Sequence, residues 1–381
     1  MLDKKMAPEI RFKGFNAEWE IAVLSDFIDY ERPDKYIEKL PLLEFGQIPV
    51  LTANKSFKLG YTESQNYYTK GDCILFDDFT LDSKYVDFPF MVVSSALKIL
   101  SLKNSQDSLP YYFGILKNNT FESQGHARHY ISIVAKTPIK ISNSIEERNL
   151  IGSFFTYTDS LIQFQDQKLK KLQTIKQSLL NKMFASFNQK MPEIRFKGFE
   201  ENFEVIRLNE IAEYKNGKGH EKFALEKGKY ILVNSKFISS NASQCKHTNI
   251  NISPLFKDDI VMVLSDIPGG KALAKTFLID NDNKYALNQR ICALTSKSTL
   301  PIYLNIILNR NSQLLVLDDH VNQTNINRQQ VMDLLLLIPS YPEQQKIGQF
   351  FSSLDSLIHY QEQKLEKLNN MKQALLEKMF C

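Results

Sequence analysis

The chain is poor in what most metal, redox and membrane proteins need. Its four cysteines, Cys73, Cys245, Cys292 and Cys381, have no CxxC spacing, which argues against a zinc knuckle or a disulfide framework and for reduced thiols. No apolar run approaches the ~20 residues of a membrane span; the longest, around Leu334 to Pro339, is strand-sized. The opening Met-Leu-Asp-Lys-Lys-Met lacks the apolar core of a signal peptide, so a cytoplasmic protein is expected. There is no GxxxxGK(S/T) loop and no GxGxxG after a strand. Nor is there an Asn-Pro-Pro-Tyr-like tetrad, with which an adenine methyltransferase would surround its flipped base. Asn216-Gly217-Lys218-Gly219 has glycines but no further nucleotide fingerprint, and reads as a basic loop. His126 and His129 are three apart with no acidic or cysteine partner nearby, which makes a poor metal site. Asp77, Asp78 and Asp82 beside Lys84 are acidic loop residues of a common kind. A non-catalytic chain with no metal and no cofactor of its own is expected. The net charge of +4 is only a weak pointer to nucleic acid.

What is present is a repeat. Pro8-Glu9-Ile10-Arg11-Phe12-Lys13-Gly14-Phe15 returns as Pro192-Glu193-Ile194-Arg195-Phe196-Lys197-Gly198-Phe199, 184 residues on. The match continues through Trp19/Phe203, Leu24/Leu208 and Tyr30/Tyr214. A second block, Phe154 to Phe184, returns without a gap as Phe350 to Phe380 at an offset of 196, with 19 of 31 positions identical. Its upstream edge matches too, at Glu147/Glu343, Ile151/Ile347 and Gly152/Gly348. The changed offset makes the segment between the blocks 12 residues longer in the second half.

Between the blocks the halves diverge, but Lys70-Gly71-Asp72-Cys73-Ile74-Leu75-Phe76 resembles Lys257-Asp258-Asp259-Ile260-Val261-Met262-Val263, a turn feeding a buried strand. Leu109-Pro110-Tyr111-Tyr112 resembles Leu300-Pro301-Ile302-Tyr303, a short helix with proline in its first turn. Two copies of one fold therefore carry different surfaces. The boundaries read as an opening motif with a first variable domain (1–145), a shared helix (146–190), a second motif and domain (191–341), and a second shared helix (342–381).

From Glu147 to Phe184 there is no proline and one glycine. A heptad frame puts Ile162, Gln165, Leu169, Leu172, Lys176, Leu179 and Met183 on one seam. Ile358, Gln361, Leu365, Leu368, Lys372, Leu375 and Met379 fall at the same places in the second copy. Leu161/Leu357, Ile175/Met371 and Leu180/Leu376 widen the stripe and suggest a further surface for a partner. The paired glutamines either fix register or sit at the solvated edge of an ordinary helical hairpin. An antiparallel pair would bury both seams and carry the domains to opposite ends. Such a helix spans roughly 57 Å, against ~34 Å for one turn of B-DNA.

These features resemble the specificity subunit of type I restriction–modification systems. The resemblance rests on the doubled Pro-Glu-Ile-Arg-Phe-Lys-Gly-Phe motif, on Pro342-Glu343-Gln344-Gln345-Lys346-Ile347, and on the Gln-Lys-Leu-x-Lys-Leu and Leu-Leu-x-Lys-Met-Phe runs of both helices. It covers the whole chain. The first copy departs at Glu146-Glu147-Arg148-Asn149, which lacks the proline and the glutamine pair but keeps Glu147 and Ile151. The resemblance implies an α+β protein with a pseudo-twofold internal repeat: two similar mixed α/β target-recognition domains separated by two long helices in an antiparallel coiled coil. Each domain would read one half of a bipartite site on double-stranded DNA. The coiled coil would set the gap and dock two modification (methyltransferase) subunits, which restriction (translocase and nuclease) subunits join. S-adenosylmethionine, ATP and magnesium would belong to those partners. The alternative is a coiled-coil scaffold joining two protein-binding domains without DNA contact.

Phosphates call for lysine and arginine, and base edges for arginine, asparagine or glutamine forks. In the first domain Lys55, Lys58, Gln65 and Asn66 meet that requirement, as does the glycine-started loop with His126, Arg128 and His129. In the second, the candidates are Lys218, His220, Lys236, Lys271 and the amide-rich run with Asn322, Gln323, Asn325 and Arg328. Asn288-Gln289-Arg290 precedes a strand and reads as structural first.

Overall fold

A computed structural model of the chain describes residues 7–39, 41–53, 56–121, 129–184 and 189–380. They form two compact units, Met1–Leu169 with Gln361–Cys381, and Lys170–Tyr360.

The first unit is built on the strand Cys73–Asp77, buried along its whole length, as an unbroken apolar run demands. It is the third strand of a four-stranded sheet ordered Ile28–Glu31, Leu97–Leu102, Cys73–Asp77, Ser83–Val86. A three-stranded sheet, Lys58–Thr62, Ile48–Leu51 and Met91–Val92, packs its own core around Leu51, Phe90 and Leu75. The strand Glu20–Val23, which follows the opening motif, pairs antiparallel with Pro138–Ile141 and so closes the unit beside its long helix. The helix Leu109–Asn118 starts at a Ser108 cap that accepts from the Tyr111 N–H, with Pro110 in its first turn, where the missing N–H costs nothing.

The second unit repeats this plan. The sheet Ala212–Asn216, Ile291–Ser296, Ile260–Val263, Thr276–Leu278 has the same order around a fully buried third strand. A three-stranded sheet, Lys246–Thr248, Tyr230–Val233 and Tyr285–Leu287, stands beside it. Glu204–Arg207 pairs with Leu335–Ile338 as the closing ladder, and Pro301–Leu308 is the helix begun by proline. Both sequence-level matches between the variable regions thus fall on equivalent elements.

The long helices are Ile145–Lys182 and Tyr341–Met379. The first starts without the proline of its counterpart because Ser144 Oγ accepts from the Glu147 N–H at 3.2 Å. Where the second helix has Gln344, bonded to the Leu300 N–H and the Pro339 carbonyl, the first has Arg148, bonded to Asp107 at 2.8 and 2.9 Å and to the Ser142 carbonyl. A buried ion pair thus replaces an amide bridge.

Within the first unit the helix ends are knitted together. Phe380 stacks on Phe155, ring centroids 5.8 Å apart, and lies 5.4 Å from Tyr111. Asp159 pairs with Lys372, and the buried Gln361 Nε2 donates to Gln165 Oε1 at 2.9 Å. As the first helix advances its partners retreat along the second, so these segments run in opposite directions. The second unit repeats two of these contacts with the copies exchanged: Phe184 against Phe351 and Tyr303, and Lys176 with Asp355.

Gln165, Leu169, Met183, Ile358, Gln361 and Met379 are buried, and Ile162, Leu172, Leu179, Leu365, Leu368 and Leu375 are half-buried. Gln165→Leu should destabilise the first unit by about 1–3 kcal/mol, because it leaves the Gln361 amide buried without a partner. Gln165→Leu with Gln361→Leu should recover most of the loss. Fluorescence-detected urea unfolding reads this through Trp19, the single tryptophan; equal losses in the single and double variants would show that the amide pair is not coupled.

Candidate nucleic-acid interface

In the second unit the chain leaves the central strand through Leu264 and enters a turn built on one carboxylate. Asp266 Oδ1 accepts from the Ile267 N–H at 2.9 Å, and Oδ2 from Ala272 and Leu273 at 2.7 and 3.1 Å. Gly269 takes φ +64°, and a Cβ on Gly270 would lie 2.2 Å from Asp266 Oδ2. Two adjacent glycines are therefore what lets the turn close over the carboxylate. Arg310, itself at φ +54°, donates Nη1 to the Lys271 carbonyl at 2.5 Å and holds the far side.

The amide-rich run lies against this turn. Ser265 and Asp266 pair antiparallel with Asn325 and Thr324, the Ile326 N–H donates to the Leu264 carbonyl at 2.7 Å, and Gln323 Nε2 reaches Ser265 Oγ at 2.7 Å. The run has its own carboxylate staples. Asp319 accepts from the Val321 and Asn322 N–H groups at 2.9 and 2.8 Å, and Asp318 from the His320 N–H and Thr324 Oγ1 at 3.0 and 3.1 Å. The Asn322 N–H, followed by its side chain and the Val321 N–H, holds the Asp319 carboxyl down at about 2. This contribution to loop order is complete above the ordinary value of 3.8 and fades only as pH falls toward 2.

Lys271, Asn322, Gln323 and Asn325 are thus brought onto one exposed patch, with the Arg290 carbonyl bonded to the adjoining Leu264 N–H. Arg328, also exposed, opens the helix Arg328–Met332 behind an Asn327 cap and lies 5.5 Å over the Tyr214 ring. Lys218 and Lys236 are exposed elsewhere, on segments flanking the three-stranded sheet. His220 is a correction. It is fully buried: Nδ1 meets the Lys218 carbonyl at 2.7 Å and Nε2 accepts from the Ile252 N–H at 3.2 Å. Both ring nitrogens are used inside the fold, so it is a structural histidine rather than a reader. Asp266 was missed. A lone aspartate before Ile-Pro-Gly-Gly carries no sequence signal beyond the glycines that cover it.

The first unit has a related turn at the same exit from its central strand. Asp77 Oδ1 accepts from the Phe79 and Thr80 N–H groups at 2.8 and 3.2 Å, and Leu81 takes φ +59°. Asp78 pairs with the buried Lys98 at 2.8 Å and accepts from the Tyr130 N–H at 2.9 Å. It therefore fastens this turn to the short helix His129–Ser132. Lys58, exposed, donates to Tyr61 Oη at 2.7 Å; Gln65 and Asn66 are exposed. Lys55, His126 and Arg128 lie outside the described residues, as does the side chain of His129. Among the described residues no group of three His, Cys, Asp or Glu could hold a metal ion, and no helix is long and apolar enough to cross a membrane.

The architecture is that of a duplicated mixed α/β chain with one long helix in each copy. The model of the family described as "Type I restriction modification DNA specificity domain" matches residues 16–174 and 200–370, and the chain belongs to that family. It is accordingly a non-catalytic DNA sequence-specificity chain. The specificity subunit of the Escherichia coli EcoR124I/EcoR124II enzyme is 37% identical over 135 residues, 34% of this chain and 33% of that protein. The MjaVIII specificity subunit of Methanocaldococcus jannaschii is 23% identical, over 94% of this chain and 91% of that one. Among solved structures, the type I S subunit from M. genitalium shares the fold with a TM-score of 0.70 at 16% identity, over 99% of both chains. A chain from a study of type I complex assembly and conformational transition gives 0.52 at 13%, over 98% of this chain and 99% of that chain. The family match leaves the scaffold without DNA contact unfavoured.

Proposed function

We propose that each unit reads one half of a bipartite site on double-stranded DNA in the cytoplasm. The two long helices pair as an antiparallel coiled coil that sets the gap and docks two modification subunits. Restriction subunits join that complex, and S-adenosylmethionine, ATP and magnesium serve the partners. The observation that carries this reading is the duplication: one strand order occurs twice, with different residues at the exits of the central strands. A single recognition surface would need no second copy, whereas a split site needs two readers. The oppositely running helix segments, Asp159 with Lys372 and Gln165 with Gln361, support the coiled coil. The exposed Tyr157, Phe164 and Tyr360 supply apolar area on the helices for partners.

Methylated bases should be mapped in DNA from cells carrying this chain with its modification partner. A motif of two constant halves with a fixed gap is expected; an unsplit motif, or none from an active complex, rejects the reading. Asn325→Ala should weaken binding by about 1–3 kcal/mol if the amide forks on a base, and should relax the motif at one position in one half only.

A further inference from the structure

The patch at the exit of the second unit's central strand is not wholly polar. Ile267, 69% exposed, stands at the tip of the Asp266 turn, and Val321, 75% exposed, at the tip of the neighbouring run. A branched aliphatic side chain gains nothing from water, and neither packs against the core. Both stand on loops whose backbone is pinned. Ile267 follows the carboxylate that gathers three N–H groups, and the Val321 N–H is itself bonded to Asp319. The two loops are tied together by Ser265↔Asn325 and Asp266↔Thr324, and a Cβ on Gly269 would lie 3.9 Å from His320 Nδ1. Two apolar tips are therefore fixed on neighbouring loops that also carry Lys271, Asn322 and Asn325. In the first unit the matching turn also carries an exposed apolar tip on a carboxylate staple: Phe79, 60% exposed, above Asp77.

Base edges in the major groove present donors and acceptors and one apolar group, the thymine 5-methyl. Polar forks read the former, and a rigid aliphatic tip reads the latter. We propose that Ile267 and Val321 contact thymine methyl groups in the half-site read by the second unit, with Asp266 as the residue that positions the tip. This rests on the DNA-reading function above and adds to it the identity of one kind of base contact. Pinning matters because a mobile loop would spend the small gain from one methyl on ordering.

The test uses the full chain in complex with its modification subunits and a duplex carrying the mapped motif. Each thymine of both halves is replaced in turn by deoxyuridine, which removes only the methyl. At one or more thymines of a single half the affinity should fall about threefold to tenfold, the scale of burying one methyl group. With Ile267→Ala or Val321→Ala, that same replacement should cause no further fall, and affinity for the thymine duplex should already be reduced. Both side chains are exposed, so folding should be unaltered, which unfolding of the variants checks. Three results would overturn the proposal while leaving DNA reading intact: deoxyuridine neutral at every thymine, halves without A·T pairs, or variants that weaken thymine, uracil and unrelated duplexes alike. The last would mark an apolar wedge between base steps. Loss of the split motif itself would instead reject the underlying function.

Discussion

Glu147→Ala is expected to destabilise the first unit by about 3–5 kcal/mol, the scale for removing one partner of a buried ion pair. The Glu147 side chain has no exposure. It accepts from Arg11 Nε and Nη2 at 2.6 and 2.9 Å, from Ser142 Oγ at 2.5 Å and from Trp19 Nε1 at 3.3 Å. Burial alone would raise its pKa, but the bonds from Arg11 and Ser142 outweigh burial and leave it below the usual carboxylate range. Its contribution is therefore present above the ordinary value of 4.5 and is lost as pH falls through the lower folded value. Alanine takes one shared acceptor from a guanidinium, an indole N–H and a hydroxyl together. The bond from Trp19 makes the sole tryptophan a direct reporter, so its fluorescence against urea should show the transition at much lower denaturant. Arg11→Met in the Glu147→Ala background should recover part of the loss by removing the positive charge that the carboxylate offset. Glu343→Ala should cost the second unit less. Among the described residues Glu343 accepts from Arg195, at 2.8 Å to each oxygen, and Phe203, where the first copy has Trp19, has no donor to lose. A Glu147→Ala shift below about 1 kcal/mol would mean that the opening motif is not anchored through this carboxylate.

That ion pair explains why the opening motif is legible in the amino-acid sequence. Arg11 and Arg195 each need a glutamate on a helix more than a hundred residues away, so both ends of the bond recur in both copies. Repetition exposes the strands at Cys73–Asp77 and Ile260–Val263 and the proline-started helices for the same reason, since buried elements must fit a shared frame. The reading patch obeys a different rule. Its exposed residues face solvent in this chain and are free to differ between copies, so composition points to Lys271, Asn322 and Asn325 but also to His220, a residue with the right chemistry and the wrong burial. Asp266 escapes because its work is done on backbone N–H groups, which leave no mark on the sequence. The exchange of helix ends, with Phe380 in the first unit and Phe184 in the second, is hidden too. The shared Leu-Leu-x-Lys-Met-Phe termini give no indication of which core each one enters.

Gly152→Ala tests how closely that frame is built. The glycine is on the first long helix, where the N-terminal turn of Leu109–Asn118 docks, and a Cβ there would lie 1.9 Å from Ser108 Oγ and 3.1 Å from the Tyr111 nitrogen. Ser108 Oγ is the cap of that helix, accepting from the Tyr111 N–H at 3.4 Å. The added methyl must displace the cap and push backbone aside, so both overpacking and cap loss apply, together about 2–4 kcal/mol. Gly348, its counterpart, meets side chains and no backbone: a Cβ would lie 2.6 Å from Ile302 Cγ2, a methyl on a β-branched carbon of restricted rotation. Gly348→Ala displaces no cap and should therefore cost less than Gly152→Ala, about 1–3 kcal/mol. Ser108→Ala in the Gly152→Ala background removes the clashing oxygen and should restore part of the stability, although Ser108→Ala alone is destabilising. Such a sign change in a double-mutant cycle marks two residues that are in contact or share one local rearrangement. Additive losses in the Trp19 unfolding curves would place the two residues apart and refute the docking of this helix on the long one.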